Sequence, residues 1–251
     1  MTYRSNHHMD RIIKNLMYTK KFRTKTITLG SRSLNVILNG GVKTGFVTDF
    51  FGASKTGKTQ ICFHLCVTAL LLDEESGVVF VDTLGTFRPE RIKEIANHYK
   101  VKEDLSKRIM VVKARNISTQ VDVPKRLKII APFHVRLLII DTITDNFIFE
   151  YQGEERITDR QSNLAKHLHD LCSLAVKNGV AVVITNTVRS RIKDDQYYEV
   201  ETGGNVASQG VHIRVHLSKE SYSISARVVQ PPINKAIAHF RINSAGIIDN
   251  D

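Results

Sequence analysis

Residues 52–59 read Gly52-Ala53-Ser54-Lys55-Thr56-Gly57-Lys58-Thr59. This octapeptide matches the phosphate-binding loop pattern GxxxxGK[ST], with an apolar run before it at 45–51 and a helix-length stretch at 58–72. Glycine lets such a loop wrap closely, so that backbone N–H groups point at phosphate oxygens, and the N-terminus of the next helix adds its positive end. The octapeptide predicts a strand–loop–helix unit whose eight residues line a nucleotide site.

Two further assignments follow from the chemistry of such loops. Lys58 is expected to reach the β- and γ-phosphates, and the Thr59 hydroxyl is expected to ligate Mg²⁺. A second apolar run, 137–140, ends in Asp141, and such an acidic strand end holds Mg²⁺ through water in nucleotide triphosphatases. We predict ATP and Mg²⁺ as cofactors, Thr59 and Asp141 as the metal residues, and Lys58 and Asp141 as the catalytic residues.

Short apolar runs alternate with helix-length stretches after residue 26. The runs are rich in valine, isoleucine and leucine and mostly lack polar alternation, which is typical of parallel strands buried on both faces. This pattern predicts an α/β fold, a mostly parallel sheet with helices on both faces. The predicted strands are 45–51, 78–81, 109–112, 137–140 and 180–184, and the predicted helices are 58–72, 89–99, 117–130 and 160–177. After Gly204, an antiparallel extension of one sheet edge is predicted from 212–217, 223–229 and 238–242.

Composition places the chain among ordinary globular proteins. Its 251 residues are 42% hydrophobic and 24% charged, which suffices for a large core without disulfide or metal staples. No apolar run reaches the roughly 18 residues of a membrane span, and the N-terminus has no apolar signal core. Three cysteines make no disulfide framework. We expect a cytoplasmic protein with a basic arm at 1–25 and one core domain at 26–251.

Positive charge is concentrated at the N-terminus. The formal net charge is +11, and residues 1–27 hold seven basic residues against one acidic residue. Such an excess favours a polyanionic partner, nucleic acid before an anionic membrane surface, and we expect DNA and no membrane. The arm residues that we expect to contact DNA are Arg11, Lys14, Lys20, Lys21, Arg23 and Lys25. The same segment carries one apolar helical stripe: Met9, Ile12, Ile13, Leu16 and Met17. The alternative is a docking helix whose lysines are merely solvated.

Residues 81–91 read Val81-Asp82-Thr83-Leu84-Gly85-Thr86-Phe87-Arg88-Pro89-Glu90-Arg91. This segment closely resembles the D-T-E-G-T-F-R-P-E-R signature of the archaeal and eukaryotic strand-exchange recombinases, the RadA branch of the RecA superfamily. Further matches at 56–62, 179–186, 203–205 and 240–246 extend the resemblance over about residues 24–250. The resemblance implies a RecA-like ATPase core, ATP at subunit borders, DNA as partner, and Arg88 and Arg91 near the nucleotide.

Several positions depart from the family pattern. Leu84 stands where the family keeps the glutamate that polarises the attacking water, and Thr187 stands where it keeps a phosphate-sensing glutamine. We therefore expect weak ATP hydrolysis, with Asp82 as the better substitute base. Neither the aromatic-x-x-alanine docking tag nor the separate N-terminal DNA-binding domain is visible before Thr26. We expect a RadB-like paralogue of RadA that forms no standard recombinase filament.

Family position places a second DNA-binding loop between Val188 and Gly204. The loop holds three basic residues, Arg189, Arg191 and Lys193, against four acidic ones, so a solvated surface loop is an equal alternative. The first hypothesis is an ATP-binding accessory protein of homologous recombination and DNA repair. It would bind single-stranded DNA, modulate a RadA-type recombinase or another repair protein, or do both. The alternative is a nucleotide-gated scaffold with no direct DNA role, and a filament-forming recombinase is the third hypothesis.

Overall fold

The computed structural model describes residues 24–193, 196–232 and 236–250, with the backbone alone at 130–134, 190–193 and 196–199. Most of the arm predicted to contact DNA lies outside the described residues: Arg11, Lys14, Lys20, Lys21 and Arg23. The sixth arm residue, Lys25, is described, and its ammonium lies 3.5 Å from a carboxylate oxygen of Asp73. The apolar stripe of residues 9–17 also lies outside the described residues.

Twelve strands and seven α-helices are present in the described part of the chain. The strands are β1 (Thr26–Ile27), β2 (Val42–Lys43), β3 (Val47–Gly52), β4 (Gly77–Asp82), β5 (Ile109–Lys113), β6 (Val135–Asp141), β7 (Ala181–Lys193), β8 (Gln196–Glu201), β9 (Ile213–Lys219), β10 (Ile224–Gln230), β11 (Ile237–Asn243) and β12 (Gly246–Asp249). The helices are α1 (Arg32–Ile37), α2 (Lys58–Leu71), α3 (Pro89–His98), α4 (Ile117–His134), α5 (Asp145–Glu150), α6 (Ile157–Asn178) and α7 (Gly204–Gln209).

The main sheet has the strand order β12-β11-β10-β9-β3-β7-β6-β4-β5, and β8 pairs with β7 outside this path. Strands β9, β3, β7, β6, β4 and β5 run parallel to their neighbours, whereas β9 to β12 are joined antiparallel. The carboxyl ends of β3, β4, β6 and β7 therefore meet at one edge. This arrangement confirms the predicted α/β fold and the antiparallel extension.

The side chains of alternate residues in the central strands pack on opposite faces of the sheet, and each face has its own hydrophobic core. Phe80 of β4 packs on one face with α2 and α3, and Val79 and Val81 pack on the other with α4 and α6. All six residues of β3 are buried, as expected of a strand covered on both sides. The buried leucines that attach α6 to the second face are Leu164, Leu168, Leu171 and Leu174.

Two segments differ from the prediction. Helix α4 continues through Pro124 to His134, because burial of Val123 and Leu127 against the second face outweighs one lost backbone hydrogen bond. The segment predicted as a loop between 188 and 204 is mostly an antiparallel hairpin of β7 and β8, with Val188 opposite Glu201. Its β-branched and aromatic residues favour strands over a loop. No helix among the described residues combines the length and the apolarity needed to cross a bilayer.

Candidate functional site

The loop after β3 closes tightly against its neighbours. Gly52 has a φ of 155°, and a Cβ built on it would lie 2.2 Å from the carbonyl oxygen of Leu217. Gly57 has a φ of 86°, in the left-handed region that favours glycine, and it is the residue before α2. A side chain at either position would force the loop open. The chain therefore turns from β3 into the N-terminus of α2, as the phosphate-loop pattern predicts.

Lys58 lies inside this loop with 8% of its surface exposed. Its Nζ donates to the carbonyl oxygens of Gly52 and Ala53, both at 2.7 Å, and the Thr56 hydroxyl also donates to the Ala53 oxygen at 2.8 Å. Burial lowers the pKa of the Lys58 ammonium, and the nearby carboxylate of Asp141 partly offsets this shift. The loop thus holds a preorganised cation, which suits an anionic phosphate.

Thr59 and Asp141 are brought together as predicted. Thr59 Oγ1 donates to Asp141 Oδ2 over 2.7 Å, and the Thr185 hydroxyl donates to Asp141 Oδ1. Burial raises the pKa of Asp141, and these two hydrogen bonds oppose the shift. A hydroxyl and a carboxylate side by side supply the hard oxygen ligands that Mg²⁺ prefers, so these residues fit a nucleotide–metal site. Sequence reasoning missed Thr185, because its contact depends on the pairing of β6 with β7.

Asp82, which is predicted as a substitute base, holds the loop that follows β4. Its Oδ1 accepts hydrogen bonds from the backbone N–H groups of residues 84, 85 and 86, and its Oδ2 accepts one from Phe87 N at 3.0 Å. Both carboxylate oxygens therefore hold the loop after β4, which disfavours Asp82 as a substitute base. Leu84 in this loop is 56% exposed and offers no group that accepts a proton.

The two signature arginines have protein partners. Arg88 Nη1 donates to the carbonyl oxygens of Gly85 and Phe87, at 3.0 and 2.8 Å. Arg91 Nε donates to Gln60 Oε1 over 2.7 Å, and its two terminal nitrogens donate to the carbonyl oxygens of residues 243 and 244. Arg91 therefore joins α2 to the turn after β11. The expectation that both guanidiniums lie near the nucleotide stays a prediction; Gln60, the partner of Arg91, directly follows Thr59 of the phosphate loop.

Thr187 lies between the phosphate loop and the hairpin. It is opposite Gly52 in the ladder of β3 and β7, and its carbonyl oxygen accepts a hydrogen bond from Thr202 N over 2.9 Å. Asn186 Nδ2 donates to Thr202 O over 2.8 Å, which closes the base of the hairpin from the other side. Thr187, at the position that the family resemblance assigns to phosphate sensing, thus contacts both the start of the phosphate loop and the hairpin.

A cavity of about 300 Å³ lies at the base of the hairpin, between α5, α6 and the end of β8. Its charged lining residues are Arg160, Arg189 and Glu201, and Gln161 is among its polar ones. Arg189 is exposed, and residues 191 and 193 follow it at alternate positions of β7, opposite residues 198 and 196. Arg189 of β7 and Arg160 of α6 therefore line the same cavity.

A buried ionic network links β3 to the hairpin, and sequence reasoning missed it. Arg214 Nε lies 3.3 Å from Asp49 Oδ2, and Arg214 also donates to Glu201 at the end of β8. Burial raises the pKa of Asp49 to about 7, although Arg214 opposes the shift. The guanidinium stacks 4.2 Å from the Phe51 ring centre. A carboxylate inside a strand predicted to be buried on both faces was the signal that could have indicated this network.

Comparison with known proteins identifies the family of the chain. The Rad51 family model matches residues 20–250 of the chain. Three archaeal proteins named DNA repair and recombination protein RadA are similar to it. The Metallosphaera sedula protein is 35% identical over 90% of this chain and 72% of its own length, and the Aeropyrum pernix protein is 37% identical over 90% and 73%. The Ignicoccus hospitalis protein is 36% identical over 92% and 75%. By this similarity and by its fold, the chain belongs to the Rad51 family.

Proposed function

We propose that this protein is an ATP-binding, DNA-associated accessory protein of homologous recombination and DNA repair. The observation that carries the proposal is the contact of Thr59 with Asp141 beside the buried Lys58, in a chain that belongs to the Rad51 family. Its similarity to proteins named RadA supports a role in the same process. A paralogue that acts with a RadA-type recombinase or another repair protein in the cytoplasm is the form we favour.

Nucleotide binding is supported by the donor set of the loop. Residues 52–59 would hold the phosphates, Lys58 would neutralise their charge, and Thr59 with Asp141 would hold Mg²⁺. Bound ATP supplies a phosphoanhydride bond whose hydrolysis can drive a change of state. The protein's own part is to place a cation and the N-terminus of α2 against the developing negative charge.

Slow turnover is supported by the residues around Leu84. A positioned general base is typically worth about 10²–10⁴-fold in rate, and Leu84 cannot supply one. Asp82, at the end of β4 two residues before Leu84, accepts backbone N–H groups at both carboxylate oxygens. We therefore propose that the protein binds ATP firmly, hydrolyses it slowly and uses the bound nucleotide as a switch.

Contact with single-stranded DNA is supported by the hairpin of β7 and β8. Arg189 and Arg160 share a cavity at its base, and guanidinium groups bind phosphates and stack on bases. Residues 191 and 193 add two basic positions on β7, and the basic arm adds an electrostatic contribution. Thr187, opposite Gly52, connects this surface to the phosphate loop.

A nucleotide-gated scaffold is the second candidate. The specific observation in its favour is the charge of residues 188–204, which hold four acidic residues against three basic ones. Such a surface suits a protein partner at least as well as DNA. In either case, assembly into a standard recombinase filament is not part of the proposal.

Binding to single-stranded DNA at several salt concentrations tests the proposal. With Mg²⁺–ATP present, the logarithm of the affinity should fall linearly with the logarithm of the salt concentration, because each neutralised phosphate releases counterions. Arg189→Ala should reduce the slope, and Arg126→Ala, on the exposed surface of α4, should not. Absence of any salt-dependent DNA binding would favour the scaffold.

A further inference from the structure

The cavity at the base of the hairpin contains charges of both signs. Arg160 of α6 and Arg189 of β7 supply two guanidinium groups, and Glu201 at the end of β8 supplies a carboxylate. Arg160 Nη1 donates to the carbonyl oxygen of Tyr151 over 3.3 Å, and this partner carries no negative charge. A carboxylate that pairs with an arginine competes with a phosphate for the same guanidinium. The position of the Glu201 carboxylate therefore decides how cationic the cavity is.

Arg214 of β9 binds this carboxylate. Its Nη2 donates to Glu201 Oε2, and its guanidinium lies 4.2 Å from the centre of the Phe51 ring, which fixes its position. The contact is sheltered from water, since 6% of Arg214 and 23% of the Glu201 side chain are exposed. Salt screens such a pair only weakly, and removing one partner leaves the other charge uncompensated. The Glu201 carboxylate is thus directed to β9.

Asp49 is the second carboxyl group beside Arg214, and it leaves the charge of Arg214 mainly to Glu201. Asp49 Oδ2 lies 3.3 Å from Arg214 Nε, whereas the buried Asp49 Oδ1 has no hydrogen-bond partner among the described residues. Burial raises the pKa of Asp49 to about 7, so this carboxyl group is partly protonated near neutral pH. The single positive charge of Arg214 is therefore matched mainly by the carboxylate of Glu201.

We propose that Arg214 is a positioning residue that holds the Glu201 carboxylate away from Arg160 and Arg189. The two cavity arginines then stay available for an anionic ligand, the phosphate groups of single-stranded DNA. Without Arg214, the Glu201 carboxylate pairs with them and the affinity for phosphate falls. The inference rests on the proposed function for the identity of the ligand, whereas the placement of the Glu201 charge can be tested on the protein alone.

A double-mutant cycle in the full chain tests the proposal, with the affinity for a fluorescent oligo-dT strand in Mg²⁺–ATP as the measurement. We expect Arg214→Gln to weaken binding about tenfold or more, and the added Glu201→Gln to restore the affinity to within about threefold of the wild type. Arg227→Gln, on the exposed side of β10, removes the same charge and should weaken binding less than about threefold. A purely structural role of Arg214 would not be rescued by neutralising Glu201.

Arginine modification by phenylglyoxal, followed by peptide mass spectrometry, gives a readout without DNA. An ion pair keeps a guanidinium protonated and shielded, so Arg160 and Arg189 should react several-fold more slowly in Arg214→Gln than in the wild type. The double variant should recover the wild-type rate. Circular dichroism shows whether Arg214→Gln folds. If it does not, Glu201→Gln alone decides, because with Arg214 in place its two cavity arginines should react as in the wild type.

Two results would overturn the proposal. Faster modification of Arg160 or Arg189 in Glu201→Gln than in the wild type would show that Glu201 already pairs with them. A loss of DNA affinity in Arg214→Gln that Glu201→Gln does not restore would leave Arg214 with a structural role only. Absence of DNA binding by the wild type, together with the expected modification rates, would contradict the proposed function and support the role of Arg214.

Discussion

Thr59 and Asp141 are joined by a hydrogen bond of 2.7 Å although 82 residues separate them in the chain. The bond ties the first turn of α2 to the end of β6, and the Thr185 hydroxyl on β7 holds the other carboxylate oxygen. Helix α2 and strands β6 and β7 are thereby held together around the buried Asp141 carboxylate. This is the geometry on which the proposed nucleotide–metal site depends.

The Asp141 carboxylate should be required for the metal dependence of nucleotide binding. Asp141→Asn keeps the shape of the side chain but removes the charge that attracts Mg²⁺. We expect the gain in ATP affinity on adding Mg²⁺ to fall by about tenfold or more, since interactions with charged groups are worth roughly 1.5–3 kcal/mol. Fluorescent-nucleotide titration with and without Mg²⁺ measures this gain. Asp122→Asn on α4 is the control, and an unaltered gain in Asp141→Asn would rule out Asp141 as a metal residue.

Asp82 should matter for stability and not for turnover. Asp82→Ala leaves the backbone N–H groups of residues 84–87 without their acceptor, and hydrogen bonds to a charged group contribute roughly 1.5–3 kcal/mol. We expect a lower thermal midpoint for Asp82→Ala, measured by circular dichroism. Asp82→Asn keeps part of the hydrogen bonding, and its residual ATP turnover should stay within about twofold of the wild type. Loss of turnover in a folded Asp82→Asn protein would instead make Asp82 the base.

Leu84→Glu should restore hydrolysis. The substitution introduces a carboxylate at the position where the resemblance implies the general base, and such a base is worth at least about 10²-fold in rate. Because Leu84 is 56% exposed, the change should fold without strain. Phosphate release is the measurement, with Leu84→Gln as the control of equal size and no basicity. Equal rates for the two variants would mean that position 84 is not close enough to act on water.

The candidate site was predictable where a fixed motif carries the chemistry. Residues 52–59 have the fixed spacing of the phosphate-loop pattern, and Asp141 ends an apolar run; both were assigned from sequence, and the structure places Thr59 and Asp141 together. The hydrogen bonds of Asp82 could not be predicted from the sequence. An aspartate at a strand end can accept either backbone N–H groups or a proton, and the sequence is the same in both cases. Helices α1, α5 and α7 have six residues each, too few for a periodic pattern. The Asp49–Arg214 contact depends on how β3 pairs with β9.

Two buried histidines should respond oppositely to replacement. Burial lowers the pKa of both His64 and His167 to about 4. His64 Nδ1 accepts from Ile247 N over 3.1 Å, and its Nε2 pairs with the Tyr99 hydroxyl, whereas neither His167 nitrogen has a hydrogen-bond partner among the described residues. We expect His64→Leu to lower the free energy of unfolding by about 1–3 kcal/mol at pH 7 and His167→Leu to maintain or raise it.

The same histidines set a pH dependence. A depressed pKa means that the unfolded chain binds protons more readily, so the contribution of these two histidines to stability should fall as the pH drops from about 6.5 to about 4. Asp49, whose pKa burial raises to about 7, contributes in the opposite direction over this range. His167→Leu should make this fall shallower, because one of the two groups no longer titrates. Urea unfolding at pH 7 and pH 5 measures the difference. An identical fall in the variant would show that His167 does not titrate as described.

Titration of the wild type and of Lys58→Ala with Mg²⁺–ATP by calorimetry tests the central claim most directly. The Lys58 ammonium is held inside the loop by Gly52 O and Ala53 O, where bound phosphates would meet it. Removing it should weaken ATP affinity about ten- to a hundredfold, the loss expected for a charge-assisted hydrogen bond. Lys107→Ala, outside the loop, should bind ATP like the wild type. Equal affinity of Lys58→Ala and the wild type would contradict the assignment of residues 52–59 as the nucleotide site.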